Sequence, residues 1–388
     1  MEKHSVSKPL HVLVLARGVP EKSSILNGVF ELDQSKALAM AGHKVTLLAI
    51  DWRSPRHRRK LRLTHKTIGG VDVISLGIPI GRAPERVYEA LEKTLLPVVM
   101  RRVFDEVGVP DVVHAHFARQ GELGLKIKGE VGIPLVYTEH SSSIAKSDSR
   151  YIALARPVWE ACDTLIAVSG ALAEQIYALS GQRPRVVANV VDSLFLEGDL
   201  AHGKGKMHFV SSGNLIARKG FDVLIESFSG MPDNAILDIF GEGPERTRLE
   251  KLIGEYGLDE RVRLNGQIPR DTMAVAYRDA DCFVLASRSE TFGVVYAEAL
   301  SCGLPVVGTL CGGPEDFVTN DVGKLVAIDD VNALRRAMTS VVEERHSAED
   351  IREYARELFS QKRIAGRLTD IYRNVLVGPA NSEAGMRI

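Results

Sequence analysis

Residues 285–307 read LASRSETFGVVYAEALSCGLPVV, and they are the most informative stretch of this chain. The apolar residues 282–286 predict a buried strand, which is followed by a polar turn. A helix is predicted over 292–301, and Gly303 ends it before Pro305 begins the next strand. The stretch is therefore a strand–helix–strand unit, which is typical of a parallel sheet with helices on its faces.

Two carboxylates of this unit lie eight positions apart in the chain. Glu290 precedes the helix and Glu298 lies about two turns inside it, so we expect them to contact different parts of one ligand. Between them, the free backbone N–H groups of a helix N-terminus carry partial positive charge and suit a phosphate. The residues at this N-terminus are Thr291, Phe292, Gly293 and Val294. The alternative is a capped helix that carries two surface glutamates.

The length and composition indicate an ordinary globular protein with two domains. The chain has 388 residues, of which 45% are hydrophobic and 26% are charged, and this excludes a disordered chain. Its start is polar and no run of about 18 apolar residues occurs, so we expect an intracellular protein. The four cysteines lack the paired spacing of zinc or redox sites, and no disulfide framework is predicted.

The net charge of −1 hides an asymmetry along the chain. Residues 1–190 hold 26 Lys and Arg against 19 Asp and Glu, whereas the remainder holds 23 against 31. The basic first half is therefore the candidate for binding anionic partners.

Strand and helix patterns alternate twice, on either side of a Gly-rich polar stretch at 197–206. Such a stretch is typical of a domain boundary. The first half has apolar runs that predict strands over 10–16, 45–50, 111–117, 134–140 and 164–169. The second half restarts with strands predicted over 207–212, 235–240 and 261–266. Two consecutive α/β halves follow from this alternation.

The E-x7-E pattern before ALSCGLPVV resembles the signature of the retaining GT-B glycosyltransferases of family 4, also called group 1. The resemblance implies an α/β fold with two Rossmann-like domains that face each other across a cleft. It places the acceptor-side domain at 1–198 and the nucleotide-sugar domain at 199–360. A last helix at 361–377 is then expected to cross back onto the N-terminal domain.

The resemblance also implies roles for residues of the second half. Glu290 matches the glutamate beside the donor sugar, and Glu298 matches the glutamate that binds the ribose. Phe292, Gly293 and Val294 form the helix N-terminus between them. Residues 213–220 (GNLIARKG) resemble the family's phosphate loop, in which Lys219 matches the lysine, Asn214 occupies the usual arginine position, and Arg218 is expected to compensate.

Residues 241–246 (GEGPER) follow a predicted strand and partly mimic a dinucleotide fingerprint. Arg246 replaces the third glycine of that fingerprint, so a dehydrogenase is disfavoured. In the resembled family this motif is a landmark, and Gly241 and Gly243 are expected near the base or phosphates of the donor.

Three residues of the first half also match family positions. Gly28 matches a glycine-bearing loop that overhangs the cleft, although Asn27 stands where many members have a second glycine. In DVVHAH at 111–116 the two histidines face the same side of a strand, and His116 matches the one that borders the donor sugar. His140 matches a frequent acceptor-side histidine, and Glu139 is a candidate for binding the acceptor hydroxyl.

The implied reaction is transfer of a sugar from a nucleotide donor to an acceptor hydroxyl with retained anomeric configuration. The donor is expected to be a UDP- or GDP-sugar, which is a substrate, and neither a cofactor nor a metal is expected. The family is thought to react by front-face attack, with Glu290 orienting the sugar. Two alternatives stay open: a catalytically silent GT-B scaffold, and a GT-B enzyme of other chemistry such as a sugar-nucleotide epimerase.

A basic run at 53–62 raises the question of a membrane partner. A solvated loop is one interpretation, and attraction to an anionic membrane surface is the other. The helix predicted over 84–107 has apolar residues at four-residue spacing with basic residues between them, which suits either core packing or a membrane surface. The N-terminal sequence resembles that of enzymes of cell-surface polysaccharide assembly of the teichuronic-acid type. We therefore expect a glycan or lipid-linked acceptor and a cytoplasmic protein, peripheral on the inner membrane face, with no nucleic-acid partner.

Overall fold

A computed structural model describes residues 8–20, 27–52, 62–78, 80, 85–200, 207–344 and 346–377. The chain divides into two compact units. Unit 1 comprises the described residues of 1–167, 175–190 and 364–377, and unit 2 comprises those of 168–174 and 191–363.

Unit 1 contains an eight-stranded sheet with the order β3-β4-β2-β1-β5-β6-β7-β8. Neighbouring strands are parallel except for the antiparallel pair β3 and β4. The strands are β1 His11–Ala16, β2 Lys44–Trp52, β3 Arg62–Ile68, β4 Val71–Ile78, β5 Val112–His116, β6 Leu135–Glu139, β7 Thr164–Ala167 and β8 Arg185–Val186.

Unit 2 contains a six-stranded sheet with the order β11-β10-β9-β12-β13-β14, and all its pairs are parallel. The strands are β9 His208–Ser212, β10 Ile236–Phe240, β11 Val262–Gly266, β12 Cys282–Val284, β13 Val306–Thr309 and β14 Gly323–Val326. Two Rossmann-like parallel sheets confirm the α/β prediction, because strands covered on both faces read as continuous apolar runs.

Most helices lie between successive strands, whereas β2, β3 and β4 follow one another directly and the last three helices are consecutive. They are α1 Val29–Met40, α2 Glu85–Val107, α3 Ala118–Val131, α4 Ser149–Ala161, α5 Gly170–Ser180, α6 Ser193–Leu196, α7 Phe221–Phe228, α8 Arg246–Glu255, α9 Arg270–Arg278, α10 Val294–Ser301, α11 Val331–Glu343, α12 Ala348–Phe359 and α13 Gln361–Val377. Within unit 1, Ile364, Leu368 and Tyr372 of α13 are buried against core residues that include Val12 and Val14 of β1.

The structure differs from the sequence expectation at the basic run. Residues 53–61 lie outside the described residues, but Arg62 begins β3 and does not belong to a loop. Strands β3 and β4 form a hairpin whose Gly69 and Gly70 both have positive φ, of 57° and 80°. A two-residue turn of that kind joins antiparallel strands, so the glycines determined the local structure and the neighbouring charges did not.

Helix α2 buries one face in the manner of a packed helix. Met100, Val103 and Val107 are buried, whereas Val98 is 67% exposed. Across the described ranges, no helix is both long enough and apolar enough to cross a membrane.

Candidate functional site

The loops after β9 and β12 bring together three residues of unit 2 that the sequence singled out. The Lys219 ammonium nitrogen lies 2.6 Å from Oε1 of Glu290, and a guanidinium nitrogen of Arg218 lies 3.6 Å from Oε2. The hydroxyl of Ser287 also donates to Oε1 of Glu290, at 2.6 Å. Because β9 and β12 are neighbours, the carboxyl ends of both strands open at the same edge of the sheet, where open α/β sheets bind ligands.

The backbone holds Glu290 in place from the neighbouring loop. Its N–H donates to the Cys311 carbonyl at 2.9 Å, and its own carbonyl accepts from Gly313 N–H at 3.0 Å. The loop that carries Gly312 and Gly313 packs directly on this segment, because a Cβ on Gly313 would lie 2.3 Å from Cα of Phe292. The carboxylate position is therefore set before any ligand binds.

The ionisation of Glu290 follows from its neighbours. Burial alone would raise the pKa of this carboxyl, but the Lys219 ammonium, hydrogen bonds from Lys219 and Ser287, and the Arg218 guanidinium together lower the pKa below its ordinary value. Glu290 is therefore an anion held by two cations, which makes it a weak nucleophile.

Helix α10 begins two residues later than predicted. Gly293 is its N-cap residue with φ 84°, so the helix starts at Val294. The side chain of Phe292 is 3% exposed and its ring packs against Phe317 and Phe359, with centroids 5.3 and 5.7 Å apart. Phe292 was predicted as a substrate-binding residue, and the structure leaves only its backbone for that purpose.

Glu298 lies inside α10, where Arg270, which no sequence motif indicated, approaches it. A guanidinium nitrogen of Arg270 lies 3.3 Å from Oε1 of Glu298, and the other terminal nitrogen lies 3.5 Å from Asp192. Arg270 is the first residue of α9, so its proximity to Glu298 depends on tertiary packing. Glu298 is therefore ion-paired with an arginine of another helix.

The glycines of the GEGPER motif lie against the backbone of the predicted phosphate loop. A Cβ on Gly241 would come 1.8 Å from the Gly213 carbonyl oxygen, and a Cβ on Gly243 would come 2.3 Å from that of Leu215. Packing between the loops therefore requires Gly241 and Gly243, whatever they contact in a ligand. Asn214 is exposed beside them.

Three histidines cluster at the carboxyl ends of β5 and β6 in unit 1. The rings of His114 and His116 stack at 4.3 Å, as expected for alternate strand positions, and Nδ1 of His116 lies 2.9 Å from Nε2 of His140. His114 is bound on both sides, by the hydroxyls of Tyr372 at 2.7 Å and Thr138 at 2.7 Å. It is a structural residue, whereas the buried Nε2 of His116 has no partner among the described residues.

Burial keeps these imidazoles neutral. It lowers the pKa of His116 well below 6.5, and the neighbouring His140 ring and the Arg17 guanidinium lower it further. Burial and Arg17 likewise lower the pKa of His140 to about 3. Neutral imidazoles can donate or accept hydrogen bonds, but they are not cations near pH 7.

Phe117 follows His116 in a strained backbone conformation. Its φ of 67° and ψ of 155° belong to a region that only glycine adopts readily. The Arg17 guanidinium carbon lies 3.3 Å from the ring centroid, and the ring stacks on His140 at 5.1 Å. Such strain is typical of functional sites, because it persists only where surrounding contacts enforce it.

Glu139, a candidate for binding the acceptor hydroxyl, has its carboxylate oxygens occupied by other residues of unit 1. It is fully buried and accepts hydrogen bonds from Tyr137 and Tyr151 at 2.7 Å each and from Trp159 at 3.3 Å. The backbone N–H groups of His140 and Ser141 donate to it as well. The candidate role was wrong, because five donors already occupy its oxygens.

Gly28 is the N-cap of α1 with φ 75°, and a Cβ there would lie 2.0 Å from the Gly18 carbonyl oxygen. The close approach of these two loop segments therefore explains this glycine within unit 1.

A cavity of about 560 Å³ lies in unit 1 at the start of α3. Arg17, Arg119, Asp51, Ser141 and Ser143 contribute to its lining. This volume falls in the range of small-molecule sites. Within the described ranges, no group of three or more His, Cys, Asp or Glu side chains is arranged to hold a metal ion.

Comparison with known proteins gives matches across both halves of the chain. The model of glycosyltransferase family 4 matches residues 29–193, and the model of glycosyl transferases group 1 matches residues 195–358. A D-inositol 3-phosphate glycosyltransferase of Catenulispora acidiphila is 28% identical over 344 residues, covering 78% of this chain and 82% of that protein. A second enzyme so named, from Xylanimonas cellulosilytica, is 26% identical and covers 76% and 77%.

Two solved structures share the fold. The sucrose-phosphate synthase of Thermosynechococcus elongatus has a TM-score of 0.78 at 23% identity, covering 95% of this chain and 99% of that one. HepE of Anabaena, in complex with UDP and glucose, has a TM-score of 0.71 at 19% identity, covering 94% and 100%.

Proposed function

This chain belongs to the group 1 glycosyltransferases of family 4, with the GT-B fold predicted from its sequence, and we propose that it transfers a sugar from a nucleoside diphosphate donor to an acceptor hydroxyl with retention of configuration. The observation that carries the proposal is the Lys219–Glu290 contact of 2.6 Å at the edge of the unit 2 sheet. It supplies a cation for a phosphate and a carboxylate for sugar hydroxyls in one place.

Donor binding is assigned to unit 2. Lys219, Arg218 and the N-terminus of α10 provide positive charge for the diphosphate, and Glu298 is the candidate for the ribose. The UDP-bound HepE structure supports a nucleotide sugar, in line with the expected UDP- or GDP-sugar. Because fixed cations and backbone dipoles can stabilise the leaving diphosphate, the proposed reaction needs no metal.

The ionic state of Glu290 favours front-face attack over a covalent intermediate. A double displacement needs a free carboxylate nucleophile, whereas this carboxylate is bound by Lys219, Arg218 and Ser287. In the proposed step the bond from the anomeric carbon to phosphate breaks while the acceptor oxygen bonds to that carbon from the same face. The acceptor proton passes to the leaving phosphate, and Glu290 orients the sugar.

Acceptor binding is assigned to unit 1, where His140 is proposed as the acceptor-side histidine. His116 keeps its expected role beside the donor sugar, and both neutral imidazoles can hydrogen-bond sugar hydroxyls. The names of the curated relatives state D-inositol 3-phosphate, which supports a hydroxylated acceptor. A lipid-linked acceptor and peripheral membrane association remain proposals, and so does the teichuronic-acid resemblance. Exposed Arg101 and Arg102 on α2 support attraction to an anionic surface. Vesicle sedimentation with both arginines changed to Glu tests it, and unchanged binding would reject this role for α2.

The first experiment measures thermal stability with UDP-, GDP-, ADP- and TDP-sugars. A ligand at 100 times its Kd adds about 2.7 kcal/mol to the free energy of unfolding, so one nucleotide should raise Tm clearly. With that donor, NMR of the product gives the anomeric configuration, and an inverted product would reject the proposed mechanism.

Two variants test the pair itself. Lys219→Ala should abolish the donor shift, because the diphosphate loses its cation, and Glu290→Gln should lower kcat about 100-fold, because misoriented substrates react slowly. Lys251→Ala removes an exposed lysine of α8 that pairs with Glu255 at 3.3 Å, and it should change neither value. Donor binding that survives in Lys219→Ala would contradict the assignment.

A further inference from the structure

The lining of the unit 1 cavity carries more positive than negative charge. Two guanidinium groups, of Arg17 and Arg119, accompany one carboxylate, of Asp51. The hydroxyl-bearing side chains Ser141, Ser143 and Tyr151 also line it. Paired arginines disfavour a cationic ligand and match the oxygens of a phosphate in a bidentate manner.

Arg17 is held where it can contact a ligand. Its Nε donates to Glu31 at 3.2 Å, and the flat guanidinium lies over the ring of Phe117. That pair uses only Nε, and an arginine has four further N–H donors on its terminal nitrogens. The side chain remains 38% exposed, although Glu31 is fully buried.

The first turn of α3 contributes to the same cavity. Phe117, Ala118, Arg119 and Gln120 all line it, and α3 has no side-chain cap at its N-terminus. The Ala118 N–H donates to the Tyr151 hydroxyl at 3.3 Å. The helix dipole therefore adds to the positive potential that the two arginines create.

Hydroxyl groups of a ligand also find partners in this lining. Oγ of Ser141 accepts from Ser143 N–H at 3.1 Å and also hydrogen-bonds the Tyr151 hydroxyl. The Asp51 carboxylate can accept from a hydroxyl. The lining thus combines donors for an anion with partners for a polyol.

We propose that this cavity is the acceptor subsite and that it selects acceptors carrying a phosphate on a hydroxylated ring or chain. The inference rests on the proposed glycosyl transfer and adds to it the chemical class of the acceptor. The phosphate can belong to a soluble metabolite or to a lipid headgroup, since both present the same oxygens.

Calorimetry without donor tests the cavity independently of catalysis. D-inositol 3-phosphate should bind at least about tenfold more tightly than inositol, because charge-assisted hydrogen bonds contribute about 1.5–3 kcal/mol. Arg119→Gln should remove most of that difference, whereas Arg119→Lys should keep part of it. Arg150→Gln is the matched control, since Arg150 is exposed on α4 and does not contribute to the described cavity lining. Equal affinities for the two compounds in the wild-type protein would overturn the inference.

Turnover distinguishes the two sources of phosphate. With saturating donor, kcat/KM is compared for D-inositol 3-phosphate, inositol, and vesicles of phosphatidylinositol in phosphatidylcholine. Preference for the soluble phosphate or for the vesicles identifies the source, and Arg119→Gln should reduce either preference about tenfold with the donor KM unchanged. A preference that persists in Arg119→Gln would contradict the proposal that the cavity selects acceptors by their phosphate. If no donor raises Tm and no donor is turned over, the proposed function is rejected. Calorimetry without donor would still test whether the cavity binds phosphate.

Discussion

The ammonium nitrogen of Lys219 lies 2.6 Å from Oε1 of Glu290, across 71 positions of sequence. The contact exists because β9 and β12 are neighbours in the unit 2 sheet, so the loops at their carboxyl ends meet. It places a cation and an anion at a largely buried position that a diphosphate sugar can share.

The ion pair predicts a specific acid sensitivity. Because the pKa of Glu290 in the folded protein is below its ordinary value of 4.5, its contribution to stability is present above pH 4.5 and is lost as the pH falls through the folded pKa. Glu290→Gln lacks this contribution, so its free energy of unfolding should fall less steeply with acid, by up to about 1.4 kcal/mol per pH unit. Urea unfolding from pH 6 down to about pH 3 measures both slopes. Equal slopes would contradict the coupling, and Glu260→Gln, at an exposed position, is the control.

The histidine cluster predicts a second loss of stability at less acidic pH. The pKa of His140 is about 3 in the folded protein, against an ordinary value of 6.5. Below pH 6.5 the unfolded chain binds a proton that the folded chain excludes, so the free energy of unfolding decreases as the pH falls from 6.5 towards 3. His140→Asn should reduce that slope by up to about 1.4 kcal/mol per pH unit.

A histidine with the opposite shift provides the control for His140. A hydrogen bond to Asp238 raises the pKa of His208, so its contribution to stability is present below pH 6.5 and is lost as the pH rises through the raised folded pKa. His208→Asn should therefore change the pH slope of stability with the opposite sign to His140→Asn. The same sign for both variants would contradict the assignments.

Glu139 is predicted to stabilise the segment that follows β6. Burial raises the pKa of this carboxyl although Tyr137, Tyr151 and Trp159 donate to it. Glu139→Gln turns one acceptor into a donor that faces other donors, and it should cost about 2–4 kcal/mol of unfolding free energy. Faster hydrogen exchange at Ser141 N–H, which donates to Glu139 at 2.9 Å, would locate the effect. Glu160→Gln, at an exposed position on α4, should leave both measurements unchanged.

Glu298 is predicted to bind the nucleotide and not the acceptor. Glu298→Ala should weaken the binding of the donor nucleotide roughly tenfold through lost hydrogen bonds to the ribose, with little change in the acceptor KM. Calorimetry with the nucleoside diphosphate measures the first effect, and steady-state kinetics measures the second. Unchanged nucleotide affinity would reject the ribose role. Glu255→Ala is the control, because that side chain is 54% exposed on α8.

The glycine contact between the GEGPER motif and the predicted phosphate loop predicts a stability effect. Gly241 has φ 148°, and a Cβ there would lie 1.8 Å from the Gly213 carbonyl oxygen. Gly241→Ala should therefore cost at least about 2 kcal/mol, as measured by urea unfolding. By contrast, a Cβ on Gly129 of α3 meets nothing within 4 Å, and Gly129→Ala should stabilise the protein by about 1 kcal/mol. A neutral Gly241→Ala would show that the loops can separate.

Local patterns were sufficient to predict most regular elements. The helix predicted over 84–107 is α2 within one residue, and the strand predicted over 207–212 is β9 within one residue. Both succeed because burial imposes a helical period or a continuous apolar run on the sequence. Strand β3 was not predicted, because the basic run before it was interpreted as a loop or a membrane contact. The feature that indicates the hairpin is the Gly69-Gly70 turn.

The sequence by itself determined the alternating α/β pattern, the family resemblance and the identity of Glu290, Glu298, Lys219 and His116 as candidates. Tertiary structure decided which of them meet, because strand order and not sequence distance sets neighbours at a sheet edge. It paired Lys219 with Glu290, brought Arg270 to Glu298, enclosed Glu139 among five donors, and placed Arg17 and Arg119 in one cavity. The sequence specifies the chemical type of each side chain, but the charge partners and the burial of that side chain arise only when distant segments pack together.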